Sequence, residues 1–202
     1  MDIRPLRIAG GWEVTPRQFS DDRGVFLESF RGDRLAEVIG HRMDVVQSNV
    51  SVSARGTVRG IHFADVPVGQ AKYITAACGS FIDYVVDLRV GSPTFGEWDS
   101  VLLDTVDRRA VYLSEGLGHA FCALEDDTTA HYLCSAVYTP SAEHGVNPLD
   151  PQIGLTYPAG VTPLLSPKDA AAPTLADAAE SGLLPTHDAC LSYVATLAAD
   201  RR

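Results

Sequence analysis

The sequence predicts a mainly β protein of the sandwich or barrel type, and three observations carry that expectation. From Trp12 to Tyr138, short runs rich in valine, isoleucine and aromatic residues follow one another, separated by glycine, proline and aspartate. Where a run is long enough to read, its periodicity is two, and helix signals are mostly missing from the same stretch. Polar and ionisable residues (Arg59, His62, Lys72, Asp83, Asp87, His119, His131 and Tyr132) recur inside these runs. Such residues suit the wall of a ligand-holding barrel mouth, although any one of them taken singly fits a solvated sheet face as well.

Taken in order, a short helix is expected over 33–38, stopped by Gly40. Residues 44–53 alternate, with Val46, Val50 and Val52 on one face and Gln47, Asn49, Ser51 and Ser53 on the other. One face should therefore pack while the other meets water or a ligand. Strands are further expected over 58–63, 71–77, 81–89, 97–103, 110–113, 119–123 and 129–138, with turns at Gly79-Ser80, Gly91-Ser92-Pro93 and Asp126-Asp127. Within 59–62, R-G-I-H sets a glycine inside a strand, a mark of a bend or close backbone approach. In 129–138, Tyr132 and Tyr138 share a face with the small residues Ala130, Cys134 and Ala136, the pattern of a cavity wall. Beyond Pro140 the composition turns to proline, aspartate and alanine. There Thr174 with Asp177 and a closing Gly182 forms a capped helical turn, and a last helix over about 189–199 puts Leu191, Val194 and Ala198 on one stripe. Residues 1–202 thus read as one domain, a β core over about 12–140 and a loop and helical appendage over 141–202.

The 26 acidic and 16 basic residues leave a formal charge of −10, which argues against an extended nucleic-acid surface or attraction to an anionic membrane. It leaves room for one concentrated cationic pocket. Only Lys72 and Lys168 are lysines, and Lys72 stands in an otherwise uncharged run. Neither a leader pattern nor an apolar stretch of the roughly 18–20 residues that span a bilayer is present, so a soluble, cytoplasmic protein is expected. The four cysteines lack a C-x-x-C pair and read as buried free thiols. The six histidines form no H-x-H pair, which favours a metal-free site. No G-x-S-x-G and no glycine-rich phosphate loop is found.

Several longer stretches remain: D-D-R-G-V-F-L-E-S-F at 21–30, Q-S-N-V-S-V-S at 47–53, G-T-V-R-G-I-H-F at 56–63, Q-A-K at 70–72 and V-D-L-R-V-G-S-P-T-F-G-E-W at 86–98. S-E-G-L-G-H-A-F at 114–121, Y-L-C-S at 132–135 and S-P-K-D at 166–169 complete the set. In this order and spacing the chain, over roughly 12–190, resembles the dTDP-4-dehydrorhamnose 3,5-epimerases and related dTDP-4-keto-6-deoxysugar epimerases. The resemblance implies a cupin-type jelly roll with short C-terminal helices, no metal or redox cofactor, and a homodimer with exchanged N-terminal strands. It implies His62 as the base, Asp169 as its charge partner and Tyr132 as the acid. A dTDP-linked 4-keto-6-deoxysugar would be held by Arg23, Phe26, Glu28, Gln47, Asn49, Arg59, Lys72, His119, Tyr138, Glu143 and Lys168, with Phe26 and Glu28 supplied by the partner chain.

The chemistry suits those residue types. Inverting a carbon next to a ketone removes a proton on one face, holds an enolate, and returns a proton to the other face. Free histidine, titrating near 6.5, can take the first proton, and a tyrosine, with a reference value near 10, keeps its own until a carbanion demands it. A cation such as Lys72 would stabilise the enolate oxygen. Two departures from the family pattern bear on which carbon is inverted: V-N-P-L-D-P at 146–151, where the family reads toward W-N-D-P, and His131 beside the implied acid. Relatives of antibiotic pathways invert C3 alone or C5 alone. A metal-dependent cupin oxygenase and a non-catalytic sugar-nucleotide binder are the other readings.

Overall fold

Two antiparallel sheets stand face to face in the computed structural model, which describes residues 1–199. The chain starts with β1 (Asp2–Pro5), β2 (Gly11–Thr15) and a hairpin of β3 (Gln18–Asp21) and β4 (Gly24–Leu27), then helix α1 (Gly32–Ile39). The strands β5 (Gln47–Ser53), β6 (Val58–Ala64), β7 (Lys72–Cys78), β8 (Phe81–Val86) and β9 (Trp98–Leu103) follow. Next come β10 (Ala110–Leu113), β11 (Gly118–Ala123), β12 (Thr128–Cys134) and β13 (Glu143–Gly145). Three helices end the described chain: α2 (Pro167–Ala170), α3 (Leu175–Glu180) and α4 (His187–Ala199). One sheet runs β1-β2-β10-β7-β12-β5 and the other β13-β6-β11-β8-β9, the jelly-roll arrangement expected.

The strand sequences explain the layering. In β8, Phe81 and Val85 join the core between the sheets, packing with Ile74, Val111, Val101 and Phe121, while Tyr84 and Val86 pack on the opposite face. Burial on both faces is why this run shows no alternation. The outer face of the five-stranded sheet is covered by Val146, Ile153, Leu155, Leu175, Ala178 and Leu184 of the C-terminal region. The outer face of the other sheet is covered by Leu35 of α1 and by Met43, against Val14, Tyr73 and Tyr112. Each large side chain so buried contributes about 1.5–3 kcal/mol. Helix α1 ends where expected, at Gly40 in the left-handed conformation, and Thr174 caps α3 by accepting from the Asp177 N–H.

Four expectations need correction. The strand expected over 81–89 stops at Val86, because the Asp87 carboxylate turns the chain by accepting from Arg89, Ser92 and Thr94. The strand expected to reach Tyr138 ends at Cys134. In α4 the inner residues are Cys190, Tyr193, Val194 and Leu197, and Leu191 is exposed; an alanine-rich helix offers too little contrast to fix its rotation from sequence. Cys78, at the end of β7, is exposed, unlike the other three thiols.

Strand β5 differs more instructively. It is the edge of its sheet, and its polar residues Gln47, Asn49 and Ser51 line the space between the sheets. The valines expected to pack point outward instead, with Val46, Val50 and Val52 exposed to 55%, 64% and 58%. At this edge the sheets part around a cavity, so the inward face is the polar one. The hairpin β3–β4 pairs only with itself among the described strands, and Phe19, Val25 and Phe26 on it are exposed.

Candidate active site

The parting of the sheets encloses a cavity of about 620 Å³. Its six-stranded wall contributes Gln47 and Asn49 from β5, Lys72 from β7 and Tyr132 from β12, with Tyr138 just beyond. Arg59 and His62 from β6, His119 from β11 and Glu143 from β13 form the facing wall, and Lys168 and Asp169 of α2 close one side.

Asp169 reaches this place through a short capped helix. Ser166 is the N-cap, its hydroxyl accepting the Asp169 N–H at 3.1 Å, and Pro167 takes the first helical position. The Asp169 carboxylate then lies 2.6 Å from Nε2 of His62. Burial pushes this carboxyl up, but the hydrogen bonds and charge of His62, with Ser166 and the Gly60 backbone, outweigh it and hold the carboxyl below its ordinary value. With Nε2–H donated to a carboxylate, Nδ1 of His62 is the nitrogen free to take a proton. The glycine of R-G-I-H makes the approach expected of it. Gly60 has φ +131°, and a Cβ there would stand 2.5 Å from the His119 carbonyl oxygen and from the Ala120 Cβ.

A second histidine–carboxylate pair lies deeper, His119 Nε2 at 2.6 Å from Asp83 Oδ2. Burial pushes the fully buried Asp83 carboxyl up, with His119 opposing. Burial lowers the pKa of Lys72, with Glu143, Cys134 and Asp83 opposing, so its ammonium is a poorly hydrated cation. The Tyr132 phenol is pushed up by burial and by neighbouring Cys134 and Glu143 against Arg59, which favours the protonated form. Gln47 donates to Asn49 at 3.0 Å and accepts the Tyr138 N–H at 2.8 Å, stiffening the open end.

Eleven of the fourteen residues singled out from sequence therefore line one cavity. Arg23, Phe26 and Glu28 do not. They lie on or just after the β3–β4 hairpin, where Arg23 pairs with Asp21, Glu28 pairs with Arg31, and Phe26 is 68% exposed. Both departures from the family pattern lie outside the cavity as well. Val146 is buried behind β6, exchanging backbone hydrogen bonds with Ile61, and Asp150 accepts from the Leu175 N–H at the start of α3. His131 bonds Ser48 at 2.8 Å. Residues not singled out as binding also line the cavity. Gln70 donates to the Ala136 carbonyl at 2.9 Å and to Glu143 at 3.3 Å, and His144 pairs with Asp65 at 2.9 Å. The Q-A-K stretch held a signal for Gln70; His144 had none.

The family model for dTDP-4-dehydrorhamnose 3,5-epimerase matches residues 5–177. The chain belongs to this family. It is 58% identical over 190 residues to a dTDP-4-dehydrorhamnose 3-epimerase of Streptomyces niveus, covering 94% of this chain and 91% of that one. It is 54% identical over 197 residues to a dTDP-4-dehydrorhamnose 3,5-epimerase of Mycolicibacterium smegmatis, covering 98% and 97%. Among solved structures, a 3'-monoepimerase from Streptomyces bikiniensis in complex with dTDP-quinovose superposes with a TM-score of 0.94 at 49% identity, covering 96% of this chain and 98% of that one. As a dTDP-sugar epimerase the chain is an isomerase, and relatives that invert one or two carbons share its fold. Among the described residues no three His, Cys, Asp or Glu side chains are grouped as a metal site, and no helix is long and apolar enough to cross a membrane.

Proposed function

We propose that this chain inverts a dTDP-4-keto-6-deoxyhexose beside its C4 ketone, with His62 as base, Asp169 as its charge partner and Tyr132 as acid. One observation carries the assignment: His62 and Tyr132 project from opposing sheets into the same cavity. A sugar ring held between them offers one face to each, as removal and return of a proton on opposite faces demand. Lys72 and His119, the latter steadied by Asp83, would stabilise the enolate oxygen, since preorganised donors in a water-poor site are worth most where charge develops. Arg59 and Lys168 are the cations for the diphosphate, and Gln47, Asn49, Tyr138 and Glu143 orient the remainder.

A homodimer completes the site in this reading. The hairpin with Arg23 and Phe26, and Glu28 beyond it, is left unpaired in the protomer, and the valine face of β5 is an uncovered apolar strip. Exchange of the hairpin onto a partner's β5 edge would cover both and deliver Arg23, Phe26 and Glu28 to the partner's cavity. A cytoplasmic setting agrees with four unpaired cysteines.

Incubating the 4-keto sugar nucleotide with the enzyme in D₂O and locating deuterium by NMR tests the function. Label at C3, at C5 or at both is expected, and its disappearance in His62→Ala with dTDP binding retained identifies the base; unchanged exchange in that variant overturns the assignment. The 58% identity to a 3-epimerase favours label at C3 alone as the second reading.

A further inference from the structure

Gln70 comes two positions before Lys72, the first residue of β7, and lines the same cavity. It is 8% exposed. Its Nε2 donates to the Ala136 carbonyl at 2.9 Å and to Glu143 Oε1 at 3.3 Å. Those two acceptors stand at the two ends of one segment, which leaves β12 after Cys134 and enters β13 at Glu143. Residues 137–141 between them are exposed, Tyr138 to 52%. Two glutamines supply the hydrogen bonds from 136–141 to the rest of the described chain: Gln70 at Ala136, and Gln47, whose Oε1 accepts the Tyr138 N–H at 2.8 Å. A single buried amide thus ties the Tyr138 segment and the Glu143 carboxylate together.

The chemistry of an amide suits this position. Its NH₂ group has two donors, so it serves a carbonyl and a carboxylate at once and brings no charge of its own. A lysine or arginine at position 70 would neutralise Glu143, whereas the amide leaves the carboxylate charge intact for its other neighbours. That charge is felt at Lys72: burial lowers the Lys72 pKa, and Glu143 is foremost among the groups opposing it, ahead of Cys134 and Asp83. The backbone around Gln70 does not depend on its side chain. The Gly69 N–H donates to the Asp65 carbonyl at 2.7 Å, the Ala71 N–H to Ser135 Oγ at 2.8 Å, and the Ser135 N–H to the Ala71 carbonyl at 3.0 Å. What the amide fixes is therefore its two acceptors rather than its own strand.

We propose that Gln70 is a positioning residue of the epimerase, holding the Glu143 carboxylate in place at the cavity wall, so that its contribution to turnover passes through Glu143. The proposal rests on the reading of Glu143 as a group that orients the substrate. A carboxylate freed from Gln70 can turn away from the cavity, and small misplacements of a positioning group are costly in rate.

A double-mutant cycle tests it, with kcat/KM followed by deuterium exchange into the 4-keto sugar nucleotide in wild type, Gln70→Met, Glu143→Ala and the double variant. Gln70→Met keeps the length of the side chain and removes both donors. It should lower kcat/KM by about tenfold in the wild-type background and by less than about threefold in the Glu143→Ala background, where only the bond to Ala136 is left to lose. A glutamine that only supports the fold, or that touches the sugar itself, would cost the same in both backgrounds, and that result overturns the proposal. So does a Gln70→Met enzyme within about twofold of wild type. A Glu143→Ala enzyme as active as wild type removes the substrate role of Glu143 and this proposal with it, whereas exchange persisting in His62→Ala overturns the base assignment and leaves the cycle readable. If Gln70→Met does not fold, Gln70→Asn, one methylene shorter and out of reach of both acceptors, decides by the same cycle, and equal losses in the two backgrounds overturn the proposal there as well.

Discussion

Replacing Asp169 by asparagine keeps the size of the side chain and removes its charge, which isolates what the carboxylate does for His62. The two groups are 2.6 Å apart, with the aspartate side chain 8% and the histidine side chain 33% exposed. A hydrogen bond to a charged group contributes about 1.5–3 kcal/mol, and the exposure of His62 sets the expectation in the lower half, about 1.5–2 kcal/mol. If that energy is felt as the imidazolium forms, kcat falls by about 10- to 30-fold, since 1.36 kcal/mol is a factor of ten. The dissociation constant for dTDP should stay within about twofold, because the residues proposed to hold the nucleotide do not include this pair. Stability supplies a second readout. The Asp169 carboxyl is held below its ordinary value in the folded chain, so its contribution is fully present above about pH 4 and is lost as pH falls through the lower folded value. The gap in stability between wild type and Asp169→Asn should therefore be present at neutral pH and shrink in acid. Deuterium exchange followed by NMR gives the rate, calorimetry with dTDP gives the binding, and thermal melts across pH give the stability. An unchanged kcat, or a loss of dTDP affinity as large as the loss of rate, refutes the role given to this pair.

Lys72→Met should lower kcat by about 10²–10³ by removing the cation proposed to face the enolate, and raise Tm by roughly 2–6 °C, because burial disfavours the charged lysine in the folded state; a variant both active and no more stable contradicts both halves. The sign follows from the depressed folded pKa, which makes the destabilisation greatest at neutral pH and relieves it as pH rises through that value toward the unfolded one. Gly60→Ala should cost about 2–4 kcal/mol in denaturant unfolding, from its positive φ and the contact with the His119 carbonyl, and a loss below about 0.5 kcal/mol would show that the β6–β11 contact yields easily. Phe26→Asp, at a position 68% exposed in the protomer, should leave the fold intact, yet shift sedimentation toward monomer and reduce turnover; an active dimer of normal affinity removes the hairpin-exchange reading.

How much was legible beforehand differs between residues. The strands of 47–134 could be read because β-branched and aromatic runs and turn residues are local signals, and the caps of α1 and α3 for the same reason. The capped turn of Ser166, Pro167 and Asp169 was equally local, although its four residues make a helix too short for periodicity to reveal. The orientation of β5 was not legible. Alternation separates two faces, but which one turns inward depends on whether a core or a cavity lies across from it. Asp83 shows the same limit, since nothing near it in sequence reveals that His119, 36 positions away, is its partner.

By itself the sequence determined the strand and turn plan, the scarcity of cations that made Lys72 and Lys168 conspicuous, and, through ordered motifs, the family. These rest on interactions between near neighbours or on composition, which a linear chain displays. Only the tertiary structure decided that His62 and Tyr132 stand on opposing sheets, that Asp169 returns across 107 positions to His62, and that Arg23, Phe26 and Glu28 lie away from the cavity of their own protomer. Those outcomes follow from how two sheets close over a shared interior, where distance along the chain no longer measures distance in space.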